Sequence, residues 1–470
     1  MLGNECALSI LGADVVRLSC NIGRGVCQRG EASLGPPLQA LTRLEEWSIL
    51  SSCRPSPSVF VHCCRRDPAM GRRSDSSAMF KLRYRKHYVQ YLLLLVVSVA
   101  IALLVGEAGL RLAYPSLSGE GYYIWPPGLN KVFEPSSEIM PGISGLSRFS
   151  INSAGLRGDE PDPLATYRIL TIGGSTTECL YLDQNETWPY LLQQALNQQA
   201  QPQRVWVGNG AMSGRTTWHQ LAAMQSLPLD ELKIDAVIAM VGINDLTLRL
   251  SEDANYDPNP MAKPGAQEWL LAETFPASNL SRPGEPWIKN TALWRLLRQV
   301  TRSGSWENVQ DQAGRIYVTW REHRQNAVDI RDELPDLSSA LETYANNLNK
   351  MIDVANEKSV RLILVTQPTL WRPDLPEDLA ALLWFGGIGN FQAESGKPYY
   401  SAGALDRAMQ AYNDTLLQVC RQRQVECVDL TSMLAKDTTV FYDDVHFNES
   451  GARKVAAVLA DYFGTHSPPD

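Results

Sequence analysis

Between residues 167 and 463 short apolar runs alternate with longer stretches of helical spacing, and that alternation leaves few folds open. The segments 167–173, 204–208, 235–241, 360–366 and 426–430 have strand length. The segments 187–199, 217–226, 337–356, 403–422 and 449–463 repeat apolar residues every three or four positions, as amphipathic helices do. A strand, a crossover helix and a second strand leave the two strands parallel. The pattern predicts a five-stranded, flavodoxin-like, doubly wound parallel sheet with helices on both faces. After Asp235 the run to Val241 is apolar enough to be covered on both sides.

Open sheets of this kind bind ligands beyond the carboxyl ends of their strands, so the residues after each strand carry the chemistry. Gly173-Gly174-Ser175 follows the first strand. Taken alone, that stretch reads equally well as a glycine-rich turn with a helix-capping serine. It is not the G-x-S-x-G elbow, since Thr177 stands where the second glycine would be. The second strand leads into Asn209-Gly-Ala-Met-Ser-Gly214, and the third into Gly242-Ile-Asn244-Asp245. Near the C-terminus, Asp443-Asp-Val-His446 precedes the last helix.

Four such blocks in this order resemble the SGNH (GDSL-type) hydrolase superfamily, over roughly residues 145–465. The resemblance implies that fold, serine ester hydrolysis, and a catalytic set of Ser175, Asp443 and His446. It also implies an oxyanion hole made by the backbone N–H groups of Ser175 and Gly214 and the amide of Asn244. The usual Gly-Asp-Ser-Leu is replaced here by Gly173-Gly174-Ser175-Thr176.

A serine hydroxyl needs a base within reach. There are six histidines. His62 and His87 precede an apolar segment, His466 lies in the polar tail, and His323 has no motif around it. His219 follows the second block and reads as a structural or substrate-edge residue. Only His446 has a carboxylate three residues earlier in a loop. Asp444 competes with Asp443 for the imidazole, and the superfamily's spacing selects Asp443. Asp245 reads as a helix cap or loop anchor. No metal, cofactor or phosphate-binding loop is implied, because no second histidine completes a ligand set and no Gly-x-x-x-x-Gly-Lys is present.

Residues 88–106 form the one membrane-like run. Lys81, Arg83, Arg85 and Lys86 flank it on the N-terminal side, which places the N-terminus in the cytoplasm and the remainder outside. Glu107 and Arg111 follow instead of a small-x-small cleavage site, favouring an anchor over a cleaved signal peptide. The organisation expected is a non-domain extension at 1–78, a basic flank and anchor at 79–110, a linker at 111–145, and the hydrolase-like domain at 146–466. Six of the nine cysteines fall in the first 64 residues, in no zinc spacing, and Met79 is a plausible translation start. Cys420 and Cys427 bracket a helix-to-strand turn and are left open as a pair. Cys179 reads as a buried thiol.

Two stretches interrupt the alternation, at about 246–335 and 368–400, both leaving the sheet where a site should lie. Their tryptophans read first as a local apolar core and second as a sugar-stacking wall. The net charge of −8 argues against nucleic acid as a partner. The favoured activity is removal of an O-acyl group, acetyl above others, from a carbohydrate or lipid-linked substrate. An O-acyltransferase with the same residues and a catalytically silent glycan-binding module are the alternatives. Oligomeric state is not legible.

Overall fold

A computed structural model describes residues 76–113, 121–199, 204–278, 280, 284–302 and 313–466. Two compact units divide the chain, residues 1–78 and 79–470. The expected N-terminal extension lies almost wholly outside the described residues.

Helix α1 spans Ser76–Ala113, and a small antiparallel pair follows, β1 (Asn130–Phe133) with β2 (Ser147–Ser150). Then come β3 (Tyr167–Gly173), the one-turn α2 (Ser175–Glu178), α3 (Trp188–Gln198), β4 (Val205–Asn209), α4 (Thr217–Ser226) and β5 (Ala236–Met240). Helices α5 (Ile243–Glu252), α6 (Ala266–Thr274), α7 (Ala292–Arg302) and α8 (Arg315–Gln325) occupy the first interruption. The rest is β6 (Ile330–Arg331), α9 (Ser338–Glu357), β7 (Arg361–Val365), α10 (Glu377–Ala380), β8 (Tyr399–Tyr400), α11 (Ala402–Arg423), β9 (Glu426–Val428) and α12 (Glu449–Thr465).

Strands β4-β3-β5-β7-β9 form one five-stranded sheet in that order, every pair parallel. This is the doubly wound sheet the alternation predicts. Every residue of β4 and β5 is buried, because helices cover both faces. On one side α3 packs against α12, and on the other α4, α9 and α11 pack in succession. The helix starts follow local chemistry. Thr187, Ser401 and Asn448 each accept a backbone N–H of the first turn of α3, α11 and α12.

Two boundaries differ from the expectation. Helix α5 runs through residue 246, so the chain leaves the sheet after that helix and not at its fourth residue. The last strand stops at Val428, because a 3-10 turn from Leu430 to Met433 takes over.

Candidate active site

Strand β3 ends in Gly173, and α2 begins two residues later, so Ser175 is the first residue of a helix at the sheet's carboxyl edge. Its N–H lies in the first turn, where no intrahelical carbonyl faces it. A side chain at Gly174 would collide with the amide of Asn244, which explains glycine there. Gly214 has φ +76°, a conformation glycine adopts without steric cost.

The structure brings Ser175, His446 and Asp443 together. His446 Nε2 lies 2.7 Å from Ser175 Oγ, and its Nδ1 lies 2.7 Å from Asp443 Oδ2. Asp443 Oδ1 accepts the backbone N–H groups of Val445 and His446 at 3.0 and 2.8 Å. The indole of Trp384 donates to Asp443 Oδ2 at 2.9 Å. Burial by itself raises the Asp443 pKa. The neighbouring His446 and these donors outweigh it and hold the carboxyl below the usual carboxylate range.

Asp444 points the other way. It accepts the Trp371 indole at 2.7 Å and the backbone N–H groups of Trp384 and Phe385 at 2.6 and 3.3 Å. Burial, then the charge of Asp443, pushes its pKa up to about 6. Asp444 thus ties the second interruption to the histidine loop.

The Asn244 amide donates to the Arg215 carbonyl at 2.9 Å. An amide carries two N–H bonds, so one remains for another acceptor. Asp245 is half-buried and accepts the N–H and hydroxyl of Thr217 at 3.1 and 2.6 Å, which anchors the start of α4. His219 closes a capping box with Thr216 on the same helix. His323 contacts the Phe391 carbonyl within the interruptions. Neither histidine is gathered with Ser175.

Several contributors escaped sequence reasoning. Glu178, fully buried, accepts the Ser213 N–H at 2.6 Å and also its hydroxyl, fixing the residue before Gly214. Arg157 lies in the lead-in segment, and its backbone bridges to Asn209 of β4. Its buried guanidinium donates to the carbonyls of Glu178, Cys179 and Leu182 at 2.5, 2.6 and 2.7 Å. It therefore braces the exit of α2, where Cys179 takes φ 55°. Burial draws the Arg157 pKa down to about 10, which leaves it charged at neutral pH. No motif marks this arginine; only its place before a glycine hints at a turn. Arg157→Met should lower unfolding free energy by roughly 3 kcal/mol, since buried carbonyls lose their donors. Urea denaturation with an unchanged m-value would measure it.

Tyr317 from α8 and Trp384 from the second interruption are buried and pack on His446, with ring centroids 6.0 and 6.4 Å away. Tyr442 stacks on the same ring at 5.5 Å. The interruptions thus wall the imidazole with aromatics. Their residues join the main core, which differs from the separate local core expected, because the histidine loop supplies the surface they cover.

Beside Ser175 a pocket has room for about one water-sized group, lined in part by Cys179, Tyr181, Leu182, Tyr442 and Phe447. Burial pushes the Cys179 thiol up to about 12, so it is inert as a nucleophile. A larger groove between Asp159, Gln193, Arg204 and Trp206 contains neither Ser175 nor His446. Among the described residues no cluster of His, Cys, Asp and Glu is arranged to hold a metal.

A parallel α/β sheet with a serine at the head of its first crossover, and an imidazole on that serine, is the framework of a serine ester hydrolase. Residues 171–454 match the GDSL-like Lipase/Acylhydrolase family, and the chain belongs to it. Three solved structures are similar to the chain at low identity. An alpha/beta hydrolase enzyme from the metagenome of Lake Arreo is 15% identical, over 65% of this chain and 98% of that one, with a TM-score of 0.33. An acetylxylan esterase from Geobacillus stearothermophilus is 13% identical, over 64% and 95%, with a TM-score of 0.34. A GDSL-like lipase from Bacteroides thetaiotaomicron is 10% identical, over 64% and 88%, with a TM-score of 0.31. No curated protein matches the chain.

Proposed function

We propose that this chain is a membrane-anchored serine esterase. It removes a short O-acyl group, acetyl above others, from a hydroxyl of a carbohydrate or lipid-linked substrate. The observation that carries the reading is the 2.7 Å contact of His446 Nε2 with Ser175 Oγ, continued at 2.7 Å from Nδ1 to Asp443. Asp443 keeps the proton on Nδ1, so Nε2 can take the proton of Ser175 as its oxygen attacks the ester carbonyl. Negative charge then develops on the former carbonyl oxygen. The N–H groups of Ser175 and Gly214 and the second N–H of Asn244 receive it. The imidazolium returns its proton to the departing alkoxide, leaving an acyl group on Ser175. Water, deprotonated by His446, releases the acid and restores the serine.

The pocket beside Ser175 supports a small acyl group, since a methyl fits a water-sized space and a propyl chain does not. Helix α1 supports anchoring. From His87 to Ala113 it is long and apolar enough to cross a bilayer, and it is exposed along the whole run from Tyr88 to Val105. Apolar residues on every face suit lipid better than water. A disulfide joins Cys420 to Cys427, which fits an oxidising compartment for the domain that follows α1.

Purified full chain supplied with p-nitrophenyl acetate should accumulate an acetyl group on the peptide that contains Ser175, read by mass spectrometry after acid quench. The kcat/KM for p-nitrophenyl butyrate should be roughly 10- to 200-fold lower than for the acetate. Leu182→Ala should narrow that gap by opening the pocket. Acetyl found on another residue would overturn the mechanism, and equal rates on both esters would overturn the chain-length preference.

A further inference from the structure

The apolar run of α1 ends at Gly106, and the next turn carries Glu107 and Arg111, paired at 2.7 Å. A carboxylate at the edge of a hydrocarbon layer is costly unless its oxygens are satisfied. Both are. Glu107 Oε1 accepts the N–H of Ala292 at 2.8 Å, and Oε2 accepts that of Leu293 at 3.0 Å. Arg111 donates to the Asn290 carbonyl at 3.2 Å. Gly106 lies against the methyl groups of Leu293, close enough that an added Cβ would stand 3.8 Å from the nearer one. The end of α1 is thus clamped to a 3-10 turn, Trp287–Asn290, and to the N-terminus of α7, whose dipole favours an anion there.

What this clamp presents is apolar. Trp287 is 77% exposed, Ile288 48% and Leu297 55%. In the sequence of α7, Leu293, Leu296, Leu297 and Val300 recur at helical spacing, with Arg295 and Arg298 between them and Arg302 after them. A helix whose sequence alternates leucines with arginines, next to an exposed tryptophan, suits the boundary between acyl chains and headgroups. Its N-terminus cannot stray from that boundary, because it is bonded to the residue where the span ends.

We propose that Trp287–Arg302 is a second membrane contact, an interfacial helix seated among anionic headgroups of the leaflet from which α1 emerges. The proposal rests on reading α1 as a membrane span. It gives the first interruption a role distinct from its aromatic wall at His446: the same insertion holds the hydrolytic domain down on the bilayer.

The test uses the full chain reconstituted into phosphatidylcholine–phosphatidylglycerol vesicles whose acyl chains are brominated near the glycerol end, a short-range quencher of indole fluorescence. Brominated lipid should quench the wild-type chain, and Trp287→Phe should abolish most of that quenching while soluble-ester hydrolysis stays unchanged. Quenching should fall when phosphatidylcholine is the sole lipid. Undiminished quenching in Trp287→Phe, in protein that still resists alkaline extraction, would overturn the interfacial helix and leave the anchor standing. No lipid quenching of the wild type, with the chain still integral, would do the same and assign this face to a protein partner. Release of the wild type by alkaline wash would overturn the anchor and this inference with it. Equal quenching in neutral vesicles would overturn the assignment to anionic headgroups.

Discussion

Ser175→Ala is expected to lower kcat/KM on p-nitrophenyl acetate by roughly 10^4- to 10^6-fold, and His446→Ala by a similar factor. The two losses should not add. Once the oxygen nucleophile is gone the imidazole has no proton to take, and without the imidazole the hydroxyl is not activated. Ser175→Ala/His446→Ala should therefore be no slower than either single variant. The residual rate should match what the N–H groups of Ser175 and Gly214 and the Asn244 amide still stabilise. Ser175→Ala should not weaken the fold much, since Ser175 is only half-buried, whereas His446→Ala should cost some stability because the buried Asp443 carboxylate loses its imidazole. Stopped-flow and steady-state rates on the folded variants measure all of this. A double variant slower than both singles by a further hundredfold would mean that the two residues act independently, and the shared mechanism would fail.

How much of this was legible in the chain depended on the range of the interaction. Strands β3, β4, β5 and β7 were visible because burial on two faces writes itself as continuous apolar runs. The crossover helices were visible because one face of each is apolar. Ser175, Asn244 and His446 stood out because the resemblance to the SGNH hydrolases marks those positions, each beside a strand end or before a helix. Arg157, Glu178 and Trp384 were hidden for a common reason: each bonds to a backbone atom or a side chain that only tertiary folding brings near. Arg157 meets carbonyls 21 to 25 residues away, and Trp384 meets Asp443 across 59 residues. Helix α7 was hidden in another way. It lies in the stretch read only as an interruption, and its partner is the end of α1, 185 residues earlier, which nothing in 292–302 alone points to.

The two neighbouring aspartates should separate cleanly by mutation, because each faces a different set of donors. Asp443→Asn should cut kcat by about 10^4-fold. Position Oδ2 of Asp443 now accepts both the His446 imidazole N–H and the Trp384 indole N–H. Position Oδ1 accepts two backbone N–H groups. An asparagine keeps one acceptor oxygen. The backbone pair cannot change its donors, so the amide NH2 turns toward His446, whose Nδ1 must then accept. The proton moves to Nε2, where it meets Ser175 and blocks the transfer. Asp444→Asn should leave kcat within about tenfold, because Asp444 makes no bond to the imidazole itself, but should cost roughly 1–3 kcal/mol of stability. One of the Trp371, Trp384 and Phe385 N–H groups would face an NH2 instead of an oxygen. The cost should vary with pH, and its sign follows from the raised pKa. Native Asp444 holds its proton up to about pH 6, above the ordinary carboxylate value of 3.8, so wild-type stability declines as pH rises across that window. Asparagine has no such proton to lose. The gap between wild type and Asp444→Asn should therefore shrink from pH 4 to pH 6 and stay level above it, as urea midpoints across that range would record. Asp443 runs the opposite way: its pKa is depressed, so the stability it contributes is kept at neutral pH and lost as pH falls through its folded value. An Asp444→Asn enzyme that lost activity as deeply as Asp443→Asn, at a pH where both remain folded, would show that the imidazole draws on both carboxylates, and the assignment of Asp443 alone would have to be abandoned.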